Sequence, residues 1–112
     1  MGKLIILRGN SGSGKTTVAK ALQKKLGRNT MLISQDEVRR NMLWVDDGID
    51  TKALPLMAEL LRYGREHSEF SILEGIMYDE WYRSLFELAN ELYGSNAVSY
   101  THLRAHETKA NL

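Results

Sequence analysis

The feature that most limits how this chain can fold is the run Gly9-Asn10-Ser11-Gly12-Ser13-Gly14-Lys15-Thr16, which fits G-x-x-x-x-G-K-[ST] at every fixed position. Ahead of it lies Lys3-Leu4-Ile5-Ile6-Leu7-Arg8. A short continuous apolar run of β-formers reads as a strand buried on both faces. Behind it, Val18, Ala21, Leu22 and Leu26 fall at helical spacing, and Gly27 sits where a helix C-terminal glycine belongs. The glycine loop therefore joins a strand to a helix N-terminus. Glycines let the backbone wrap an anion and turn its N–H groups inward, and the helix dipole and free N–H groups favour negative charge. The loop and the first helical turn, Gly9 to Thr17, are thus the candidate nucleotide-binding residues. Lys15 is placed to reach the β and γ phosphates of ATP, and the Thr16 hydroxyl to ligate Mg²⁺, a hard cation that takes oxygen.

Further along, Thr30 to Ser34 reads as a second strand, and Asp36-Glu37 opens a short charged helix to about Leu43. Asp46-Asp47-Gly48 is a turn. A longer helix starts near Asp50 or Thr51, with Pro55 confined to its first turn. Leu54, Met57, Ala58 and Leu61 supply its apolar stripe, widened by Leu60 and Tyr63. Phe70 to Glu74 is a third strand, followed by Gly75, which serves close backbone approach or positive φ. Asp79 is placed to cap a last helix, with Trp81, Leu85, Leu88 and Leu92 at helical spacing and Gly94 at its end. The order β-α-β-α-α-β-α predicts an α/β fold, three layers around a parallel sheet with right-handed crossovers.

Two carboxylates and one guanidinium extend the phosphate site. Asp36 and Arg39 follow the second strand in Ser34-Gln35-Asp36-Glu37-Val38-Arg39. That places them at the C-terminal edge of a parallel sheet, the same edge as the glycine loop, where ligands bind. Asp36 there can accept the proton of an attacking hydroxyl, and Arg39 can steady an anionic group. The plainer alternatives are a helix N-cap for Asp36 and a solvated side chain for Arg39. Glu74 ends the third strand, where a carboxylate can hold a Mg²⁺-bound water, or simply bond to local backbone. Glu37 and Arg40 read as surface residues. Trp44 is a candidate for lining a substrate pocket; Trp81, Tyr82, Met42, Met57 and Met77 read as packing residues.

Composition narrows the chemistry. With no cysteine, the chain has no disulfide framework, thiolate zinc site or cysteine nucleophile. A net charge of +1 gives no strong whole-chain attraction for nucleic acid or anionic membrane. No stretch approaches a membrane span or a secretory signal, so a cytoplasmic setting is expected.

Residues 1–97 resemble the small P-loop kinases grouped with zeta toxins, chloramphenicol phosphotransferase and polynucleotide 5′-hydroxyl kinases. The resemblance rests on Gly9 to Thr16, Ser34-x-Asp36-x-x-Arg39 and Ile72-Leu73-Glu74-Gly75. It implies strand order 2-3-1-4-5, ATP at the loop, Mg²⁺ at Thr16, and Lys15, Asp36, Arg39 and Glu74 as catalytic residues. The acceptor implied is a hydroxyl of a small molecule or a nucleic-acid end. A P-loop ATPase or GTPase without an acceptor is the alternative, though no guanine-reading Asn-Lys-x-Asp segment is present. The final segment differs in kind. Val98 to Thr108 resembles the translated sequence of a transposase-type DNA sequencing adapter, so residues 98–112 are expected to be a non-native tail. The pair His102 and His106 then carries no metal site. Family members continue through a fourth strand, an arginine-bearing lid and a fifth strand. The expectation is that nothing after Ala97 supplies these parts and that the chain transfers little phosphate.

Overall fold

The computed structural model describes residues 2–9 and 14–100. Its four strands are β1 (Lys3–Arg8), β2 (Met31–Ser34), β3 (Phe70–Gly75) and β4 (Ala97–Tyr100). They pair in parallel in the order β2-β3-β1-β4. The crossovers run through helices α1 (Lys15–Leu26), α2 (Ala53–His67) and α3 (Asp79–Tyr93). The alternation of strand side chains explains the three layers. Leu4, Ile6, Ile33 and Leu73 enter the core shared with α2 and α3. Leu7 and Ile72 enter the opposite core with Val18 and Ala19 of α1, against which Ile5 and Leu32 pack. Both faces of the sheet are covered, as a parallel sheet requires.

The expected α/β fold is therefore present, and the first four positions of the expected strand order stand as 2-3-1-4. Pro55 is the third residue of α2, inside the first turn. Gly27 closes α1 with φ +108, its N–H donating to the Gln23 carbonyl. The buried face of α2 is Ala53, Met57, Leu61 and Gly64. Gly64 lets the helix approach β3 closely, since a Cβ there would lie 2.3 Å from Ser71 Oγ.

Several expectations are corrected. Tyr63 does not widen the apolar stripe of α2; it is exposed, as is Met42. The buried face of α3 is Tyr82, Leu85, Ala89 and Tyr93; of the expected stripe, Leu85 lies on it, while Trp81, Leu88 and Leu92 flank it half-buried. Both tyrosines can be buried because their hydroxyls find partners: Tyr93 donates to the Leu61 carbonyl at 2.8 Å, and Tyr82 to Asp47 Oδ1 at 2.6 Å. Asp79 is not the cap of α3. Tyr78 holds that position, and Asp79 instead lies 3.2 Å from the Arg8 guanidinium. Finally, a fourth strand does form after Asn96. Ala97 to Tyr100 extends along β1 from Leu4 to Leu7, with Val98 and Tyr100 about half exposed. The backbone edge of β1 offers unpaired N–H and C=O groups, and any extended segment with β-forming side chains can satisfy them. The rest of the expected tail, including His102 and His106, lies outside the described residues.

Candidate functional site

The parallel register brings three strand ends to one level. Leu7 and Ser34 are both paired with Glu74, and Arg8 with Gly75. β1 then leads to Gly9 and the glycine loop, of which Asn10, Ser11, Gly12 and Ser13 lie outside the described residues. The loop returns at Gly14, the residue preceding α1, with φ +84. That left-handed conformation suits glycine and aims the first turn of α1 back over the strand ends. Lys15 is 8% exposed, while Thr16 and Thr17 face solvent.

Glu74 is the centre of this edge. It is 2% exposed, a carboxylate held inside the sheet end rather than at its surface. Two hydroxyls donate to the same oxygen, Oε1: Ser34 Oγ at 2.8 Å and Thr16 Oγ1 at 3.4 Å. A buried carboxylate is stable only when its lone pairs are taken up by donors or cations. The set of Thr16 hydroxyl and Glu74 carboxylate is all oxygen, the donor chemistry Mg²⁺ prefers. A Thr16 hydroxyl that donates its proton to Glu74 keeps lone pairs for a cation, so these residues fit the Mg²⁺ expected from the sequence.

Asp36 and Arg39 sit beyond β2 on a short segment, Glu37–Leu43, that winds as a π-helix instead of the α-helical turn expected. Asp36 occupies its N-cap position, yet its side chain makes no capping hydrogen bond. Its Oδ1 pairs with Arg39 Nη2 and Arg40 Nε, both at 3.3 Å. Arg39 is not a solvated side chain. It is 17% exposed, reaches the Val45 carbonyl, and its Nε is buried without a hydrogen-bond partner. The π-wound turn ends at Trp44, whose φ of +56 is rare for a bulky residue and whose ring is 90% exposed. Glu37 and Arg40 are at the surface, as expected.

A second polar cluster supports the same edge and has no signal in the sequence. Gln35 Nε2 donates to the Tyr82 hydroxyl at 2.9 Å, which donates in turn to Asp47 Oδ1. Asp47 Oδ1 also accepts the Gly48 N–H at 3.0 Å. Burial, reinforced by the Asp47 carboxylate, pushes the Tyr82 phenol well above its ordinary range. Residues 35, 47 and 82 meet only through the fold, so neither spacing nor composition marks them. Ser34 is a nearer miss. It stands in the segment singled out for Asp36, but its contact to Glu74 depends on the pairing of β2 with β3.

Among the described residues, no helix is long and apolar enough to cross a membrane. A protein-family profile described as an AAA domain matches residues 4–97. A search of curated protein sequences finds no match. Among solved structures, a candidate kinase from Chloroflexus aurantiacus J-10-fl aligns at 19% identity with a TM-score of 0.62 over 89% of this chain. A gluconokinase from Sinorhizobium meliloti 1021 aligns at 19% identity and TM-score 0.57 over 89% of this chain. A shikimate kinase from Bacteroides thetaiotaomicron gives 21% and 0.51 over 88%. At these identities the likeness is one of fold. The chain spans 57%, 56% and 58% of those three structures respectively.

Proposed function

The chain belongs to the AAA domain family, and from that membership and its site we propose that it works in an ATP-dependent kinase, moving the γ-phosphate of ATP to a hydroxyl of a small molecule or a nucleic-acid end. The observation that carries this reading is the convergence of Thr16 and Ser34 on the buried carboxylate of Glu74, at the sheet edge where the glycine loop meets α1. An oxygen cluster beside a phosphate-binding helix start is the arrangement that Mg²⁺-nucleotide chemistry uses.

Each residue then has a part in the reading. Backbone N–H groups of Gly9 to Thr17 hold the phosphates, and Lys15 supplies a positive charge to the β and γ groups. Mg²⁺ at this site would supply charge neutralisation to the transferring phosphate, and Thr16 and Glu74 are the residues that would hold it. Asp36 takes the acceptor's proton once it turns from its arginine partners, and Arg39 steadies the transferring or acceptor anion. The solved structures whose fold it shares include kinases for gluconate and shikimate, which supports an alcohol-group acceptor. The division of the chain at Ala97, a cytoplasmic setting and transfer by residues 1–112 that is slow but measurable with labelled ATP remain parts of the same proposal.

The test is calorimetric titration of the chain with ATP and Mg²⁺, followed by transfer of labelled γ-phosphate to a panel of alcohols and 5′-hydroxyl oligonucleotides. Saturable ATP binding that Lys15→Ala abolishes, together with label appearing on an acceptor, supports the kinase. Label found only as inorganic phosphate, with no acceptor consumed, would indicate an ATPase instead. Tighter binding of GTP than ATP would point to a GTPase.

A further inference from the structure

The two hydroxyls on Glu74 are not equivalent. The Ser34 bond is 2.8 Å, within the best range for an O–H donor, whereas the Thr16 bond at 3.4 Å is near the limit of what counts as one. The carboxylate is therefore oriented chiefly from β2 and not from the glycine loop. Ser34 is itself held: it is the last residue of β2, in register with Glu74, and its Oγ also lies 3.5 Å from the Glu37 N–H at the start of the π-wound turn. One hydroxyl thus touches both the carboxylate and the segment carrying Asp36 and Arg39.

We propose that Ser34 is a positioning residue which fixes the Glu74 carboxylate for the Mg²⁺ of bound nucleotide. This rests on the kinase reading of the site and gives a role to Ser34, which that reading leaves without one. The physical reason is preorganisation. A glutamate has three side-chain torsions, and a short hydrogen bond from a fixed partner selects one rotamer in advance. Thr16 cannot serve alone, because its bond is long and its oxygen is the group that meets the cation. With Ser34 in place, the carboxylate keeps its aim whether or not nucleotide is present. Groups that orient metal ligands from behind typically account for about 10- to 100-fold in metal affinity.

The experiment compares ATP affinity in excess Mg²⁺ with ATP affinity in EDTA, by calorimetry on residues 1–112. In the wild-type chain Mg²⁺ is expected to tighten binding. Ser34→Ala is expected to lose about tenfold of that gain while its affinity in EDTA stays unchanged. Ser34→Thr keeps the hydroxyl and is expected to restore the gain. Ser34→Cys, close in size but a weak donor, is expected to follow the alanine variant. In a Glu74→Gln background, Ser34→Ala is expected to add nothing.

An unchanged Mg²⁺ gain in Ser34→Ala overturns the proposal, as does a Ser34→Cys chain that behaves like the wild type. An equal loss in EDTA overturns it too, by assigning the effect to packing of the nucleotide site. So do additive losses for Ser34→Ala and Glu74→Gln. The two levels of the reading separate in the wild type. ATP binding with no Mg²⁺ gain removes the role of Ser34 and leaves nucleotide binding standing. No ATP binding at all removes both.

Discussion

Gly75 and Gln35 meet so closely that a Cβ on the glycine would lie 2.6 Å from Gln35 Cβ. Gln35 has no room to retreat, being 2% exposed with its amide committed to Tyr82. Gly75 also has φ +154, a region that side-chain-bearing residues rarely adopt. The glycine that ends β3 thus lets β2 and β3 finish side by side, which is how Ser34 reaches Glu74.

Gly75→Ala is therefore expected to destabilise the fold by about 2–4 kcal/mol, from backbone strain plus a clash in the interior. Gly48 is the control. Its φ is +146, but nothing lies within 4 Å of a Cβ there. Gly48→Ala should carry the strain alone, about 1 kcal/mol. Urea midpoints of the two variants measure the difference. Equal midpoints would show that the contact with Gln35 costs nothing.

The Tyr82 phenol is pushed up by burial and by Asp47, and burial pushes the Tyr93 phenol up as well. The unfolded chain releases these protons as pH passes about 10, while the folded chain still holds them. Stability is thus fully present below that pH and declines above it. Urea midpoints should be flat with respect to these groups from pH 7 to 9 and fall beyond 10. Tyr82→Phe should remove part of the alkaline slope. At neutral pH it should cost about 1–3 kcal/mol, because Gln35 and Asp47 lose a buried partner. A midpoint that climbs above pH 10 would contradict the assignment.

Local features of the site were legible in the sequence because they depend on neighbours along the chain. The strand before Gly9, the helix after Gly14 and the glycine stops at Gly27 and Gly94 all follow from patterns within one turn or one strand. The place of Glu74 at the end of an apolar strand was legible in the same way, but its burial was not. What could not be read were contacts made across the sheet. Tyr82 is buried because Asp47 and Gln35 satisfy its hydroxyl, and its spacing alone favours Trp81 equally. Met42 has a core-like side chain, yet the π-winding of Glu37–Leu43 turns it outward. β4 was missed because its stability comes from the open edge of β1 and not from its own composition.

Asp36 offers a test between its two sequence readings. A helix cap contributes typically about 1 kcal/mol, whereas ion pairs made by an exposed carboxylate, as Asp36 makes with Arg39 and Arg40, contribute about 0–1. Asp36 is 65% exposed and makes no capping bond. Asp36→Ala, which removes both the carboxylate and any capping group, should therefore shift stability by less than about 0.5 kcal/mol and leave ATP affinity within about twofold. Acceptor-dependent phosphate transfer should fall by about 100-fold or more, since the proton acceptor is gone. Measuring urea midpoint, ATP affinity and transfer on one variant distinguishes the roles. A large stability loss with unchanged transfer would make Asp36 a structural cap.

The strand at Ala97–Tyr100 has a defined energetic expectation. It pairs with four residues of β1, but Val98 and Tyr100 stay about half exposed, so its contribution comes from backbone hydrogen bonds more than from burial. Net gains of that kind are about 0.5–1.5 kcal/mol per bond before the entropy of ordering the strand is subtracted. A chain ending at Ala97 should thus lose only about 1–2 kcal/mol of stability. Its greater cost should be association, since the β1 edge from Leu4 to Leu7 would be left unpaired. Sedimentation velocity and urea midpoints of residues 1–97 against 1–112 check both effects. A shortened chain that stays monomeric with the same midpoint would show that β4 contributes nothing to the sheet, and that its segment is as dispensable as a foreign tail should be.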